Sequence, residues 1–201
     1  VFAIKGVGID TAAWSPLPKE DDWLRVTMIA RAIRHKGVHE FVEAAAILGE
    51  KYPDVSFQFV GSPDPGNPSS VTEEFMQSRP HLHYLGHQEN IRHILSQSDV
   101  FVLPSYREGL PRTSLEAMSM GLPIVTTDVV GCRETVEEGI NGYIIPPKNA
   151  RALAEAIEKL ICDPSLRIRM GKAGRTKAVR EFDIRAIVDK HLEAYGLKRV
   201  P

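Results

Sequence analysis

The sequence has little of what marks membrane, secreted or nucleic-acid-binding proteins. Only two of its 201 residues are cysteine, Cys132 and Cys162, and no metal-type spacing accompanies them, so we expect reduced thiols in a cytoplasmic protein. No apolar run approaches the ~18 residues of a membrane span. A formal net charge of −1 offers no bulk positive charge, and we therefore expect no nucleic-acid partner.

What the sequence does have is the composition of an ordinary globular domain. Hydrophobic residues make up 43% of the chain and charged residues 25%. A length of 201 residues suffices for one domain with a sizeable core but is short for two. The chain begins at Val1 without a methionine, so we expect it to be part of a longer protein.

Short apolar runs rich in β-branched residues alternate with longer segments of helical period. This pattern is typical of βαβ units on a parallel sheet. It predicts strands at 25–30, 55–60, 82–85, 100–103, 123–126 and 142–145. Helices are expected at 37–51, 70–78, 88–97, 112–120, 132–138, 149–161, 164–179 and 183–195.

Six parallel strands with right-handed crossovers most simply give the doubly wound order 3-2-1-4-5-6, a Rossmann-like α/β fold with helices on both faces. Ligands bind such sheets at the carboxyl ends of the strands, where the order reverses between strands 1 and 4. The loops after these strands, 31–37 and 104–110, should therefore face each other across a binding crevice.

The two loops have complementary chemistry for a diphosphate. The first carries Arg31, Arg34 and Lys36, and the second, with Glu108, Gly109 and Leu110, leads into a helix. A helix start presents unpaired N–H groups, and a glycine lets a ligand approach the backbone. No nucleoside triphosphatase or dinucleotide fingerprint follows strand 1, which disfavours both of those classes.

Two carboxylates lie beside this predicted anion site, Glu108 before the helix and Glu116 within it. Anions repel a diphosphate, so these carboxylates are better suited to hydroxyl groups at its two ends. A carboxylate can accept two hydrogen bonds from a vicinal diol. We therefore expect one of these diols to be a ribose and the other to belong to a sugar.

At this point the sequence resembles a known family. The stretches that carry the resemblance are SYREGLPRTSLEAM from Ser105, GLPIVT from Gly121, GCRETV from Gly131 and GINGYIIPP from Gly139. They are similar to the C-terminal, donor-binding half of retaining glycosyltransferases of the GT-B fold (group 1, or family 4). The resemblance covers nearly the whole chain, although Ala30 stands where many relatives have glycine.

The resemblance implies roles for particular residues. Arg31 and Lys36 match the cations that hold the donor diphosphate, and Glu116 matches the residue that binds the ribose. Glu108 matches the residue that contacts the donor sugar. Gly109 and Leu110 match the residues whose backbone amides donate hydrogen bonds to the phosphate. Of these residues, Glu108, Arg31 and Lys36 are the ones expected to assist the reaction.

The resemblance also implies substrates, partners and domains. The donor would be a nucleoside-diphosphate sugar, most simply a UDP-sugar, with a GDP-sugar as the other choice, and no further cofactor or metal. Residues 1–22 would be an interdomain segment, 23–180 the nucleotide-sugar-binding domain and 181–201 a crossover helix. The acceptor, a sugar or lipid-linked sugar, would be held by an N-terminal domain of the same polypeptide. The full-length protein would be cytoplasmic and peripheral at the inner face of the cell membrane.

Other interpretations stay open from the sequence. His81, His83 and His87 lie close together in the sequence, but without a cysteine or carboxylate cluster they do not predict a metal site. A nucleotide-sugar epimerase of the same fold would share the donor site. A binding module that catalyses nothing would share it too, although the predicted interdomain segment and crossover helix argue for a second domain.

Overall fold

The protein is built on six short strands, described in a computed structural model for residues 8–197. The strands are β1 (Leu24–Ile29), β2 (Val55–Val60), β3 (Leu82–Gly86), β4 (Val100–Leu103), β5 (Ile124–Thr127) and β6 (Gly142–Ile145). Every neighbouring pair runs parallel, and the order across the sheet is β3-β2-β1-β4-β5-β6. The predicted doubly wound sheet is confirmed.

Helices connect the strands and continue after the last one. They are α1 (Val38–Gly49), α2 (Glu73–Gln77), α3 (Ile91–Ser96), α4 (Arg112–Ser119), α5 (Val130–Arg133), α6 (Ala150–Cys162), α7 (Pro164–Phe182) and α8 (Ile184–Ala194). A single 3-10 turn, Arg34–Lys36, precedes α1. No helix within residues 8–197 has the length and apolar character needed to cross a membrane.

The sheet is buried on both faces because side chains alternate along each strand. On β4, Val100 and Val102 belong to the core shared with α1 and α6. Phe101 and Leu103 belong to the opposite core, together with residues of α3, α4 and α7. All four side chains are at most 1% exposed, so a continuous apolar run correctly predicted a central strand.

Helix boundaries differ from the prediction where a polar side chain caps the first turn. Thr72 accepts a hydrogen bond from the amide of Phe75, so α2 begins three residues later than periodicity indicated. Asn90 caps α3 in the same way through the amide of His93. The predicted helix at 132–138 is wrong in its bounds, since α5 covers only Val130–Arg133 and ends before the buried Thr135.

The two ends of the described chain meet. Ile9 pairs with Asp183, and the amide of Ile184 donates to the carbonyl of Ile9 at 2.9 Å. Further along, the Arg175 guanidinium donates to the carbonyls of Thr11 and Trp14 at 2.8 and 2.9 Å. Residues 1–7 of the predicted interdomain segment and residues 198–201 of the predicted crossover helix lie outside the described residues. The divisions after 22 and 180 stay predictions.

Candidate functional site

The loops after β1 and β4 face each other, as expected from the strand order. The amide of Tyr106 donates to the carbonyl of His35 at 2.8 Å, which joins the two loops directly. Gly37 adopts φ of 79°, and a Cβ there would lie 2.2 Å from the carbonyl oxygen of Pro104. Because any larger residue would force the loops apart, glycine is required for their close approach.

The backbone of the β1–α1 loop is already hydrogen bonded. The amides of Ala32 and Arg34 donate to the carbonyls of Ser62 and Ser69, each at 2.8 Å, and the amide of Lys36 donates within the loop. These acceptors belong to the proline-rich segment 61–70, which lies along the loop. The β1–α1 loop can therefore offer a ligand its cationic side chains but few backbone amides.

The α4 N-terminus is different. Pro111 precedes the helix and supplies no side-chain cap. Among residues 8–197, no protein group accepts a hydrogen bond from the amides of Gly109, Leu110, Arg112 or Thr113. Free amides at a helix start, together with the positive end of the helix dipole, form a natural anion site.

Lys36 faces this helix start from across the crevice. Its Nζ lies 2.5 Å from Oε1 of Glu108, and the Ser105 hydroxyl donates to the same oxygen at 2.7 Å. Both side chains are largely shielded, at 22% exposure for Lys36 and 11% for Glu108. Two predicted site residues, Lys36 and Glu108, thus contact each other directly as an ion pair.

Arg31 extends further into solvent. Its guanidinium is 66% exposed and pairs with Asp64 at 2.8 Å. Asp64 in turn accepts a hydrogen bond from the side chain of Asn67. Arg31 therefore lies toward the proline-rich segment, and it does not contact Lys36 or Glu108 among the described ion pairs.

Glu116 lies one turn inside α4 and is 6% exposed. The Nε of Arg112 donates to its carboxylate at 3.0 Å. Burial raises the pKa of Glu116 above its ordinary value, and the nearby Arg112 opposes that shift. A shielded carboxylate with free acceptor capacity is suited to binding hydroxyl groups.

A pocket of about 360 Å³ opens beside Arg31 at the carboxyl ends of β1, β2 and β3. Its size suits a planar base with part of a ribose. Apolar walls come from Ile29, Val60 and Ile91, and polar groups from Asp64, Gln88 and Thr113. The start of the proline-rich segment, residues 61–64, and His87 also line the pocket.

Sequence reasoning missed part of this site. Asp64 and Thr113 were not predicted; Asp64 falls in the proline-rich segment that follows β2. Arg112 was not among the predicted site residues either; its side chain is 72% exposed, yet it pairs with Glu116. The i to i+4 spacing of Arg112 and Glu116 on a helix was the signal that could have found this pair.

The histidines do not form a cluster. His81 lines a separate pocket beside α1, and His83 lines another near the amino end of the sheet. Within residues 8–197 no group of three histidine, cysteine or acidic side chains is arranged to hold a metal ion.

The amino-acid sequence of this chain is similar to those of known proteins. The chain is 37% identical to N,N'-diacetylbacillosaminyl-diphospho-undecaprenol alpha-1,3-N-acetylgalactosaminyltransferase of Campylobacter jejuni, over 97% of this chain and 54% of that protein. It is 34% identical to UDP-Gal:alpha-D-GlcNAc-diphosphoundecaprenol alpha-1,3-galactosyltransferase of Escherichia coli, over 84% and 44%. The chain thus spans about half the length of the curated relatives it matches.

Solved structures agree on the fold. Sucrose-phosphate synthase from Thermosynechococcus elongatus matches with a TM-score of 0.82 at 27% identity, over 96% of this chain and 51% of that one. The family model described as Glycosyl transferases group 1 matches residues 12–177. With its Rossmann-like sheet forming one half of a GT-B fold, the chain belongs to the group 1 glycosyl transferases.

Proposed function

We propose that this chain is the donor-binding half of a retaining glycosyltransferase that uses a UDP-sugar. The observation that carries the proposal is the uncapped start of α4 facing Lys36 across the strand-order switch point. That arrangement combines free amides, a helix dipole and a cation within one crevice, next to a base-sized pocket. A nucleoside diphosphate matches all of these features in one molecule.

Each site residue has a role in this proposal. Lys36, Arg31 and the amides of Gly109 and Leu110 bind the diphosphate and stabilise the charge that develops on it as the sugar departs. Glu116 accepts hydrogen bonds from the ribose diol. Glu108 accepts hydrogen bonds from the donor sugar.

We assign the role of nucleophile to no side chain within residues 8–197, and we therefore propose that the acceptor oxygen attacks the donor sugar directly. The bond between the anomeric carbon and the β-phosphate oxygen breaks while an acceptor oxygen attacks from the same face. The acceptor proton passes to the departing phosphate oxygen, so the sugar keeps its anomeric configuration. A trapped covalent glycosyl-enzyme would contradict this course.

The relatives support the substrate classes. The E. coli relative is named for UDP-Gal as its donor, and the C. jejuni relative is an N-acetylgalactosaminyltransferase. We propose a hexosyl or N-acetylhexosaminyl donor, with UDP preferred over GDP. The acceptors in both names are linked to undecaprenol through diphosphate, which supports a lipid-linked acceptor and a cytoplasmic protein at the inner membrane face.

A partner domain is part of the proposal. On α8 only Ile187 is buried, while Val188 is 39% exposed and Tyr195 and Leu197 are 76% and 60% exposed. These apolar side chains lack a neighbour within residues 8–197 that covers them. We propose that the remaining half of the protein packs here, and that this chain alone transfers no sugar.

Calorimetric titration with UDP and GDP tests the donor assignment. Wild type should bind UDP more tightly than GDP, and Arg31→Ala, Lys36→Ala and Glu116→Ala should each weaken UDP binding about ten-fold or more, since each removes a charged hydrogen-bonding partner. Lys159→Ala, an exposed lysine on α6, serves as the control. Unchanged affinity in all three site variants would reject the site.

An assay of the full-length protein separates transfer from the other interpretations. Sugar transfer to an acceptor is expected. Release of UDP with an isomerised sugar and no acceptor would instead indicate an epimerase, and donor binding without turnover would indicate a binding module.

A further inference from the structure

The cations nearest the proposed donor site are already neutralised by carboxylates. Each makes an ion pair of 3.0 Å or less. The pairs are Arg31 with Asp64, Lys36 with Glu108 and Arg112 with Glu116. Cations without a carboxylate partner at the carboxyl end of the sheet must therefore be other residues.

Two exposed cations, Arg34 and Lys148, lie near Tyr106 together with the His35 imidazole. Lys148 Nζ lies 5.2 Å from the ring centroid, and the His35 ring lies 6.3 Å from it, edge-on. Arg34 adjoins His35 on the 3-10 turn Arg34–Lys36, and its charge opposes the rise in the pKa of Tyr106. All three side chains are exposed, and among residues 8–197 none forms an ion pair with a carboxylate.

Tyr106 is a fixed platform for this cluster. Its amide is bonded to His35, and its hydroxyl donates to Glu40 Oε1 at 2.5 Å. Burial and the bond to Glu40 raise the pKa of Tyr106 to about 12, against an opposing effect of Arg34. The phenol therefore stays protonated at neutral pH. Glu40, at the hydroxyl end, is the carboxylate in contact with the ring.

The backbone of Lys148 is unusual as well. It has φ of 59°, the one positive φ outside glycine among the described residues. Two prolines, Pro146 and Pro147, lead into it from β6. Glycine would adopt this conformation with less strain, so the lysine side chain is present at some cost in stability. Backbone strain of this kind is concentrated at binding sites.

The cluster lies on the far side of the crevice from the base pocket. The pocket is lined from the loops after β1, β2 and β3. The cluster is formed by the loops after β1, β4 and β6. A donor whose base fills the pocket would direct its sugar, and hence the incoming acceptor, toward the cluster.

We propose that Arg34, His35 and Lys148, arranged around Tyr106, form a second anion site that binds the phosphate of the acceptor. The inference rests on the proposed function and deepens it, because it assigns acceptor recognition to this half of the protein. The ligand class is a sugar or lipid carrying a phosphate or diphosphate. The cluster holds this group while the acceptor hydroxyl reaches the donor sugar.

Titration of the UDP-saturated chain with farnesyl diphosphate tests the proposal. UDP fills the donor site, so further binding reports a second site. One equivalent should bind, and Lys148→Gln should weaken binding about ten-fold, as expected for loss of one charged contact. Inorganic pyrophosphate should compete and farnesol should not, which separates recognition of the phosphate from recognition of the lipid chain.

Two variants make the test specific. Lys159→Gln is the matched control, because Lys159 Nζ also lies over a tyrosine ring, 5.0 Å from Tyr143, but on α6 away from the crevice. Its farnesyl diphosphate affinity should equal that of wild type. Lys148→Gly should keep or raise the thermal midpoint by relieving the backbone, while losing binding as Lys148→Gln does. Loss of binding cannot then be attributed to unfolding.

Failure of this inference differs from failure of the proposed function. If UDP binds but farnesyl diphosphate does not, or if Lys148→Gln binds as tightly as wild type, the second site is rejected while the donor site stands. If UDP fails to bind, farnesyl diphosphate is titrated alone. Binding that depends on Lys148 and not on Lys36 then supports the second site, and any other pattern rejects it.

Discussion

Glu108 contacts Lys36, which we propose binds the diphosphate, and is itself proposed to bind the donor sugar. Glu108 forms an ion pair with Lys36 and accepts a hydrogen bond from the Ser105 hydroxyl. A diphosphate would compete with Glu108 for the lysine, since both are anions. Binding of the donor therefore exchanges one partner of Lys36 for another, and the exchange makes the Glu108 carboxylate available to the hydroxyl groups of the sugar.

The first prediction concerns Glu108→Gln. This variant removes a negative charge beside the diphosphate and weakens the hold on Lys36, so UDP should bind as tightly as in wild type or up to about ten-fold more tightly. A UDP-sugar should lose whatever affinity it gains from its sugar, because an amide is a weaker acceptor than a carboxylate. Calorimetry with UDP and the UDP-sugar measures both effects. Weaker UDP binding would contradict the assigned role.

The second prediction concerns the stability cost of Glu116. Because burial raises its folded pKa above the ordinary value of 4.5, the folded state binds this proton more tightly than the unfolded state. The resulting stabilisation is present below about pH 4.5 and is lost as pH rises through the folded pKa. At pH 7 Glu116→Gln should therefore raise the thermal midpoint by about 1–2 °C, while UDP binding weakens.

Glu158 provides the control for this pH dependence. Its side chain is 31% exposed, far more than that of Glu116. Its hydrogen bond with Lys51 lowers its pKa, so the sign is reversed. Its stabilisation is present above the ordinary pKa and is lost as pH falls. Glu158→Gln should accordingly not raise the midpoint at pH 7. Thermal melts across pH 4–8 compare the two variants, and an equal stabilisation of both would reject burial of Glu116 as the cause.

At the scale of elements, α4 is held in place by close backbone contacts. A Cβ on Gly131, at the start of α5, would lie 1.9 Å from the carbonyl oxygen of Gly109. Gly109 itself has open space where its Cβ would be. The two glycines meet at the loop that leads into α4, but only one of them is required for packing.

The third prediction contrasts these glycines. Gly131→Ala should lower stability by about 1–3 kcal/mol through overpacking and weaken UDP binding as the loop shifts. Gly109→Ala should leave stability nearly unchanged, because nothing lies against the new methyl group. Its UDP binding should still fall, since the methyl group obstructs ligand approach to the backbone. Chemical denaturation and calorimetry separate the two outcomes, and a destabilised Gly109→Ala would contradict the description of the loop.

The elements differ in how well the sequence predicts them. The central strand β4 is a continuous apolar run enclosed by both cores, so composition alone identifies it. The short α5 has too few residues for periodicity to locate. It is determined instead by the tight contact of Gly131 with the β4–α4 loop, which depends on tertiary packing.

At the scale of the whole molecule, the site lies at the carboxyl ends of the strands. The chain spans about half the length of its relatives. We propose that another domain packs against the exposed apolar side chains of α8 and of the residues that follow it. As a fourth prediction, Val188→Asp should leave the stability and UDP affinity of this chain unchanged. In the full-length protein it should lower the transfer rate, because a buried charge disrupts packing between the halves. Unaltered transfer would reject α8 as the contact.

The sequence allowed the crevice to be predicted, but not all of its contacts. Strand order and the carboxyl-end rule brought loops 31–37 and 104–110 together, and this was confirmed. The pairing of Arg31 with Asp64 could not be predicted, because Asp64 lies in an irregular loop whose path depends on hydrogen bonds to the β1–α1 backbone. The position of Lys148 over Tyr106 likewise depends on a left-handed backbone that no periodicity reveals.

A crystal structure of the chain with UDP tests the central claim most directly. The account predicts the diphosphate at the start of α4, within hydrogen-bond distance of the amides of Gly109 and Leu110 and of Lys36, which will have left Glu108. The base should fill the pocket between Arg31 and Gln88. A nucleotide bound elsewhere, or a diphosphate that contacts neither the α4 amides nor Lys36, would contradict the account.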